Sequence, residues 1–155
     1  MAKFPAEAER SVTVKVPLKV AHDYLWDVVG SSDCVPSLRT CKRVGTNTFR
    51  FVFEDKHVGP LTIGVQYTAR YETNGKDRIT FESITASGDN ADATGTFRLQ
   101  AAGSQSTRIS LRQMLAPDTP VPRLIQGLFR STVEREVADG VRGFLDNVKA
   151  ALESA

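Results

Sequence analysis

The sequence predicts an α+β protein in which one antiparallel sheet packs against one long helix. Three observations lead to this class. Apolar and polar residues alternate in several short segments through the middle of the chain, as in strands with one buried face. A long helical pattern covers residues 120–153, and a shorter one follows the first strand-like segment.

The N-terminal quarter predicts one strand and two short helices. Residues 9–16, ERSVTVKV, alternate β-branched and polar side chains, which is typical of a strand. Residues 18–29, LKVAHDYLWDVV, place apolar side chains at helical intervals, and Gly30 is a plausible end. Residues 31–38, SSDCVPSL, predict a second short helix or a turn that Pro36 ends.

The middle of the chain predicts further antiparallel strands joined by turns, with an Asn74–Gly75 turn signal between two of them. Strands twist, so a sheet of this length is expected to curl. We therefore expect a curved sheet of about seven strands in total. The further alternating segments are 48–55, 61–71, 79–83, 91–99 and 107–113.

The C-terminal segment predicts a helix that covers the concave face of this sheet. A capping side chain at Asp118 or Thr119, followed by Pro120, is a start signal for a helix from about 120 to 153. The apolar stripe is wide, as it must be where a curved sheet meets a helix on several sides. Three glycines, Gly127, Gly140 and Gly143, either allow close approach or a bend, or are merely tolerated.

The space between helix and sheet is either a cavity for a small ligand or a packed core, and the alternation leaves both open. The polar side chains Tyr67, Tyr71, Ser83 and Gln113 fall on the inner face, where they would orient a ligand or bond to one another. The predicted ligand-binding residues are Phe49, Phe51, Phe53, Ile63, Val65, Tyr67, Phe81, Ser83, Phe97, Ile109, Leu111, Gln113, Leu128, Phe129, Thr132 and Glu136.

Three motifs resemble the START-like, or SRPBCC, superfamily, which includes the birch pollen allergen, polyketide cyclases and lipid-transfer domains. They are VPLKVAHDYLWDVVG, DCVPSLRTCKRVGTNTFRF and VGPLTIGVQYTARYE, and the latter two are most similar to the carbon monoxide dehydrogenase branch of the superfamily. The resemblance runs from Val12 to Leu152. It implies a helix-grip fold around a cavity for a hydrophobic molecule, in a single domain over residues 1–155 with an ordered core of about 9–153.

Catalytic and metal motifs are weak in this sequence. His22, His57, Cys34 and Cys41 do not have the spacing of a known metal site, and we expect neither a metal nor a cofactor. No nucleophile elbow and no glycine-rich phosphate loop is found. Glu136 is a weak candidate for an acid–base residue, as is a carboxylate on the first helix, Asp23; both could equally be surface charges.

Composition bounds the location and the partners. A formal net charge of +2 argues against nucleic-acid binding. The segment MAKFPAEAER has no apolar core of a secretory signal, and no run of residues is long enough to span a bilayer. Two cysteines without a CxxC motif suggest reduced packing residues. We therefore expect a cytoplasmic protein that contacts membranes at most at their surface, in an oligomeric state that the sequence leaves open.

Three functions remain. The first is a non-enzymatic binder or carrier of a small hydrophobic molecule such as a lipid, a quinone or a polyketide-like compound. The second is a cyclase or aromatase that uses the same cavity, for which Glu136 is the candidate catalytic residue. The third is a membrane-recruitment or assembly factor of an oxidoreductase complex, in which arginines of the long helix meet anionic lipid or a partner; these are Arg123, Arg130, Arg135 and Arg142.

Overall fold

The computed structural model describes residues 2–154, with side chains from Lys3 onward. Short 3₁₀ turns at Ser32–Cys34 and Arg123–Ile125 precede β3 and α3. The strands are β1 Ala2–Lys3, β2 Ala6–Val14, β3 Leu38–Gly45, β4 Thr48–Phe53, β5 Lys56–Val58, β6 Leu61–Ile63, β7 Gln66–Thr73, β8 Arg78–Ile84, β9 Ala91–Ala101 and β10 Thr107–Thr119. The helices are α1 Leu18–Trp26, α2 Val28–Ser31 and α3 Gln126–Glu153.

The main sheet is antiparallel and has eight strands in the order β1-β10-β9-β8-β7-β4-β3, with β2 beside β1 along the same side of β10. Seven of these strands are long and β1 has two residues, so the expectation of about seven strands is confirmed. The strands β5 and β6 form a separate hairpin. The predicted α+β helix-grip fold is the fold of the chain.

The long helix lies across the inner face of the sheet, as the sequence predicts. Its buried side chains recur every three or four residues, so one stripe of α3 faces the sheet. Against it lie the apolar side chains of β4, β7, β8, β9 and β10. The buried residues of α3 are Phe129, Val133, Val137, Val141, Phe144, Leu145, Val148 and Leu152.

Both chain ends correct the predicted boundaries. The first long strand is Ala6–Val14 rather than 9–16, and Phe4 before it is only 1% exposed. The helix begins at Gln126 rather than at 120, because β10 continues to Thr119. Lys3 pairs with Asp118 in this extension, so Asp118 belongs to the sheet and does not cap the helix. The added strand pairs supply backbone hydrogen bonds that local propensity does not reveal.

Two interior predictions are also corrected. The segment 61–71 is two strands, β6 and β7, because the backbone leaves the hairpin at Gly64 and returns to the main sheet at Gln66. There the Phe53 N–H donates to the Val65 carbonyl at 3.0 Å. Strand β3 was not predicted, since Leu38–Gly45 is an edge strand with mostly polar, exposed residues. The helix predicted over 18–29 ends at Trp26, and Asp27 caps α2.

Of the three glycines in the long helix, only Gly143 makes a close approach. A Cβ there would lie 2.9 Å from Cγ of Pro36, whereas Gly127 and Gly140 would place a Cβ in open space. One turn later, the Asn147 side-chain amide donates to the Cys34 carbonyl at 2.9 Å. The C-terminal half of α3 is thus fixed closely to the segment that precedes β3.

Candidate ligand-binding cavity

A partly enclosed cavity of about 370 Å³ lies between the sheet and the N-terminal half of α3. Its walls come from β4, β7, β8, β9 and β10 on one side and from α3 on the other. The hairpin β5–β6 and the segment 35–37 complete the rim. The lining is mostly apolar, as is usual for sites that take up small organic ligands.

Twelve of the sixteen residues predicted to bind a ligand line this cavity. The alternation therefore selects the correct face of most strands, although a role in binding stays a prediction for each residue. The lining residues are Phe51, Phe53, Ile63, Val65, Tyr67, Phe81, Phe97, Leu111, Gln113, Phe129, Thr132 and Glu136.

The other four lie elsewhere, each for a physical reason. Phe49 packs edge-on against Tyr71 with ring centroids 5.6 Å apart. The Ser83 hydroxyl accepts a hydrogen bond from the Ala93 N–H at 3.0 Å, where the ladder between β8 and β9 ends. Ile109 is completely buried in the packed end of the core, and Leu128 is 54% exposed on the outside of α3.

Sequence reasoning missed part of the wall. Val133 and Val137 from α3 belong to its predicted inner stripe but were not assigned to the site. Pro36 and Val58 lie in segments whose pattern does not alternate, so nothing in the local sequence marks them. Gly140 borders the cavity and leaves open space where a side chain would stand.

Aromatic rings form a continuous wall across four strands. Tyr67 stacks against Phe51 and Phe53, with centroids 5.1 and 5.9 Å apart. Tyr71 stacks against Phe81 at 5.1 Å. The row continues through Phe97 to Phe144 of α3. Such rings give large apolar contact areas with few rotatable bonds.

Two hydroxyl groups interrupt this apolar wall. Tyr67 and Tyr71 are 4% and 7% exposed, and burial raises the pKa of each phenol well above its ordinary value. Both therefore stay protonated at neutral pH and can donate a hydrogen bond. Neither hydroxyl has a partner among the described residues, yet neither is sealed from open space. Gln113 adds a side-chain amide to the same lining.

Charged groups stand only at the rim of the cavity. The Lys56 ammonium lies 3.6 Å from a Glu136 carboxylate oxygen and donates to the Ser37 hydroxyl at 3.1 Å. The side chains of Lys56 and Glu136 are 44% and 45% exposed. An ion pair this exposed contributes roughly 0–1 kcal/mol, so the rim can open at little cost.

The remaining candidate residues lie outside the cavity. Asp23 is on the surface, and a hydrogen bond from Lys19 at 2.8 Å lowers the pKa of its carboxyl. One His22 nitrogen lies 3.1 Å from Asp23, and the other lies 2.7 Å from the Thr73 hydroxyl. His57 lies on β5, not in a loop as predicted. Within residues 2–154, no cluster of His, Cys, Asp or Glu is arranged to hold a metal ion.

A second, wider groove of about 670 Å³ lies on the outer face of the sheet. Its surroundings are largely charged, with Arg70 and Glu82 on adjacent strands and an exposed ion pair between Arg112 and Glu7. Water already solvates such groups well, so this groove gives an apolar molecule little reason to leave solvent.

No protein-family model and no curated protein matches this chain. No helix in the described part of the chain is long and apolar enough to cross a membrane. Comparison with solved structures, however, finds similar folds at low sequence identity.

One of these is the Zhui aromatase/cyclase from Streptomyces sp. R1128, with a TM-score of 0.66 and 17% identity over 96% of this chain and 94% of that one. Another is a START superfamily protein from Mycobacterium smegmatis, with a TM-score of 0.69 and 12% identity over 96% and 97% of the two chains. A third is the di-domain ARO/CYC StfQ from the steffimycin biosynthetic pathway, at 0.65 and 18%, covering 97% of this chain and 51% of that one. The predicted START-like fold is thereby confirmed.

Proposed function

We propose that this protein binds a small, largely apolar molecule in the cavity beneath the N-terminal half of α3 and carries it. One observation supports this most strongly: an apolar cavity holds two buried tyrosine hydroxyls without protein partners among the described residues. A buried polar group without a hydrogen bond is costly, typically about 1–3 kcal/mol. A ligand oxygen or an ordered water would remove that cost.

The cavity also indicates what the ligand is like. Its volume of about 370 Å³ is at the small end of the range of ligand pockets, roughly 300–1,000 Å³. The apolar wall would take the ligand out of water, and Tyr67 and Tyr71 would donate to one or two acceptor oxygens. A quinone, a polyketide-like compound or a short oxygenated lipid meets this description.

Ligand entry would pass the rim formed by the β5–β6 hairpin and α3. Separation of Lys56 from Glu136 would open this side of the cavity, and the exposed pair opposes it only weakly. Because Cys34 and Cys41 are free thiols, a reducing cytoplasmic location is consistent with the structure and is part of the proposal.

An enzyme of the aromatase or cyclase kind is the second candidate, favoured by the fold similarity to proteins that bear those names. Glu136 is the weak catalytic candidate, and it stands at the rim instead of deep in the cavity. Under this alternative, Glu136→Gln lowers turnover and leaves ligand binding in place. Under the carrier proposal, the same substitution leaves retained ligand nearly unchanged.

Native mass spectrometry tests the proposal. Protein purified from cells is measured before and after extraction with organic solvent, and we expect a discrete additional mass that extraction removes. Replacing both Tyr67 and Tyr71 by Phe should lower the retained fraction about fivefold or more, since each lost hydrogen bond contributes about 1 kcal/mol. Tyr24→Phe is the control, because that hydroxyl contacts Cys34 outside the cavity.

Two results would contradict the proposal. The first is a single mass without ligand in wild-type protein, together with no binding of the apolar dye Nile red after extraction. The second is equal ligand retention by the double variant and the wild type, which would exclude a role for the two hydroxyls.

A further inference from the structure

The N-terminal turn of α3 exposes an unusual amount of apolar surface. Leu124 and Leu128 are 98% and 54% exposed, the two highest values among the exposed large apolar side chains of the described residues. They are one turn apart on the same side of the chain. The Leu128 side chain also lies 3.9 Å from where a Cβ on Gly59 would stand, at the tip of the β5–β6 hairpin next to exposed Pro60. These four residues are called the end patch.

The end patch and the cavity share their supporting elements. In α3, Phe129 follows Leu128 directly and lines the cavity, as does Thr132 one turn later. In the hairpin, Val58 directly precedes Gly59 and also lines the cavity. The patch is therefore the outer surface of a wall whose inner surface faces the proposed ligand.

The charge around the end patch is of one sign. The hairpin segment 56–63 and the segment 120–133 together contain Lys56, Arg123 and Arg130 and no Asp or Glu. Their three positive charges exceed the formal net charge of the entire chain, which is +2. Arg130 is held over the Phe4 ring at 5.6 Å, and Arg123 is exposed beside Leu124.

We propose that the end patch docks on an anionic membrane surface and that the cavity exchanges its ligand there. This inference rests on the proposed function. Exposed apolar side chains flanked by cations are the combination that binds the interface of anionic bilayers. An apolar ligand is also concentrated in membranes, so a carrier gains from meeting it there.

The size of the patch favours a membrane over a second protein. Two leucines, a glycine and a proline cover far less than the roughly 800 Å² per partner of a stable protein interface. Membrane docking requires only that a few side chains enter the headgroup region, because apolar burial and electrostatic attraction add together.

Sedimentation with vesicles tests this inference on the full chain. Wild-type protein should sediment with vesicles of phosphatidylcholine mixed with phosphatidylglycerol, less with phosphatidylcholine alone, and less again as salt is raised. Replacing Leu124 and Leu128 by Gln should lower the partition coefficient about tenfold or more. Val44→Gln is the matched control, since Val44 is 50% exposed on β3 and outside the patch.

A second pair of variants tests the electrostatic part. Arg123→Gln should lower the partition coefficient roughly fivefold. The control is Arg108→Gln, which removes an exposed cation from β10, outside the patch. Both positions are exposed, so neither substitution is expected to unfold the protein.

The inference is overturned if wild-type protein does not sediment, if Val44→Gln loses as much binding as the leucine variant, or if salt has no effect. It is also overturned if the leucine variant converts a dimer to a monomer in sedimentation velocity, since the patch would then bind a second copy. Nile red titration without vesicles separates this test from the proposed function. Dye binding without vesicle binding rejects docking alone, and vesicle binding without dye binding rejects the cavity as a ligand site.

Discussion

The two halves of α3 rest on different supports. The C-terminal half, residues 141–153, packs directly on the sheet, with Leu145 and Val148 at 1% and 0% exposure and neither beside the cavity. The N-terminal half, residues 126–140, bridges the cavity and exposes Leu128 to solvent. The same amphipathic pattern runs through both halves, so the pattern sets which side of the helix faces inward and does not set what lies beneath it.

Polar contacts reinforce this difference. The Lys149 ammonium donates to the Thr13 carbonyl of β2 at 2.7 Å and to Glu153 at 2.8 Å. Glu153 in turn accepts from the Lys15 N–H at 2.9 Å. In the N-terminal half, the link to neighbouring elements is the long, exposed pair between Lys56 and Glu136. One end of the helix is therefore anchored, while the other end can move relative to the hairpin.

Identical substitutions in the two halves should give the largest contrast. Val148→Ala should lower the free energy of unfolding by about 2 kcal/mol, because two buried methyl groups are lost from a packed site. Val137→Ala should cost roughly half of that, because Val137 already borders empty space. Urea unfolding monitored by circular dichroism measures both. Equal losses would mean that the cavity is collapsed in solution.

Alanine at two glycines of α3 should have effects of opposite sign. Gly140→Ala places a methyl group in open space and should raise the free energy of unfolding by up to about 1 kcal/mol through helix propensity. Gly143→Ala brings a methyl group to within 2.9 Å of Pro36 and should destabilise the protein as that ring is displaced. The same urea assay reports both, and stabilisation by both substitutions would reject the close approach.

The smallest expected effect is a pH dependence at the anchored end. The hydrogen bond from Lys149 holds the pKa of Glu153 below its ordinary value of 4.5. Because the folded pKa is the lower one, the stabilisation is present above about pH 4.5 and is lost as pH falls through the folded pKa. Glu153→Gln should therefore lower the melting temperature slightly at pH 7 and leave it unchanged in strong acid. A difference that grew on acidification would contradict this assignment.

The sequence predicts the sheet and the long helix because strict alternation and helical spacing are local signals. It does not predict the hairpin β5–β6, since each strand has three residues and the hairpin lies against α3, near Leu128. It also misses the start of β2, where Ala6 and Ala8 have weak strand propensity and pairing with Leu115 and Gln113 of β10 supplies the order.

The site could be predicted only as a face, not as a volume. Phe49 and Phe51 occupy equivalent positions in one alternating strand, yet Phe51 lines the cavity and Phe49 packs against Tyr71. Which of them meets empty space depends on where α3 crosses the sheet, and that is decided by long-range packing. Tyr67 and Tyr71 could be placed on the inner face, but their unpartnered hydroxyls became evident only from the folded geometry of the described residues.

Filling the cavity at one glycine tests the central claim most directly. The measurement is fluorescence titration of ligand-extracted protein with Nile red, for wild type, Gly140→Leu and Gly127→Leu. Gly140 borders the cavity, whereas Gly127 is exposed on the same helix, so the second variant controls for the added side chain. The account predicts that Gly140→Leu weakens dye binding about tenfold or more and Gly127→Leu leaves it unchanged. Equal affinity of all three proteins would contradict a ligand site beneath α3.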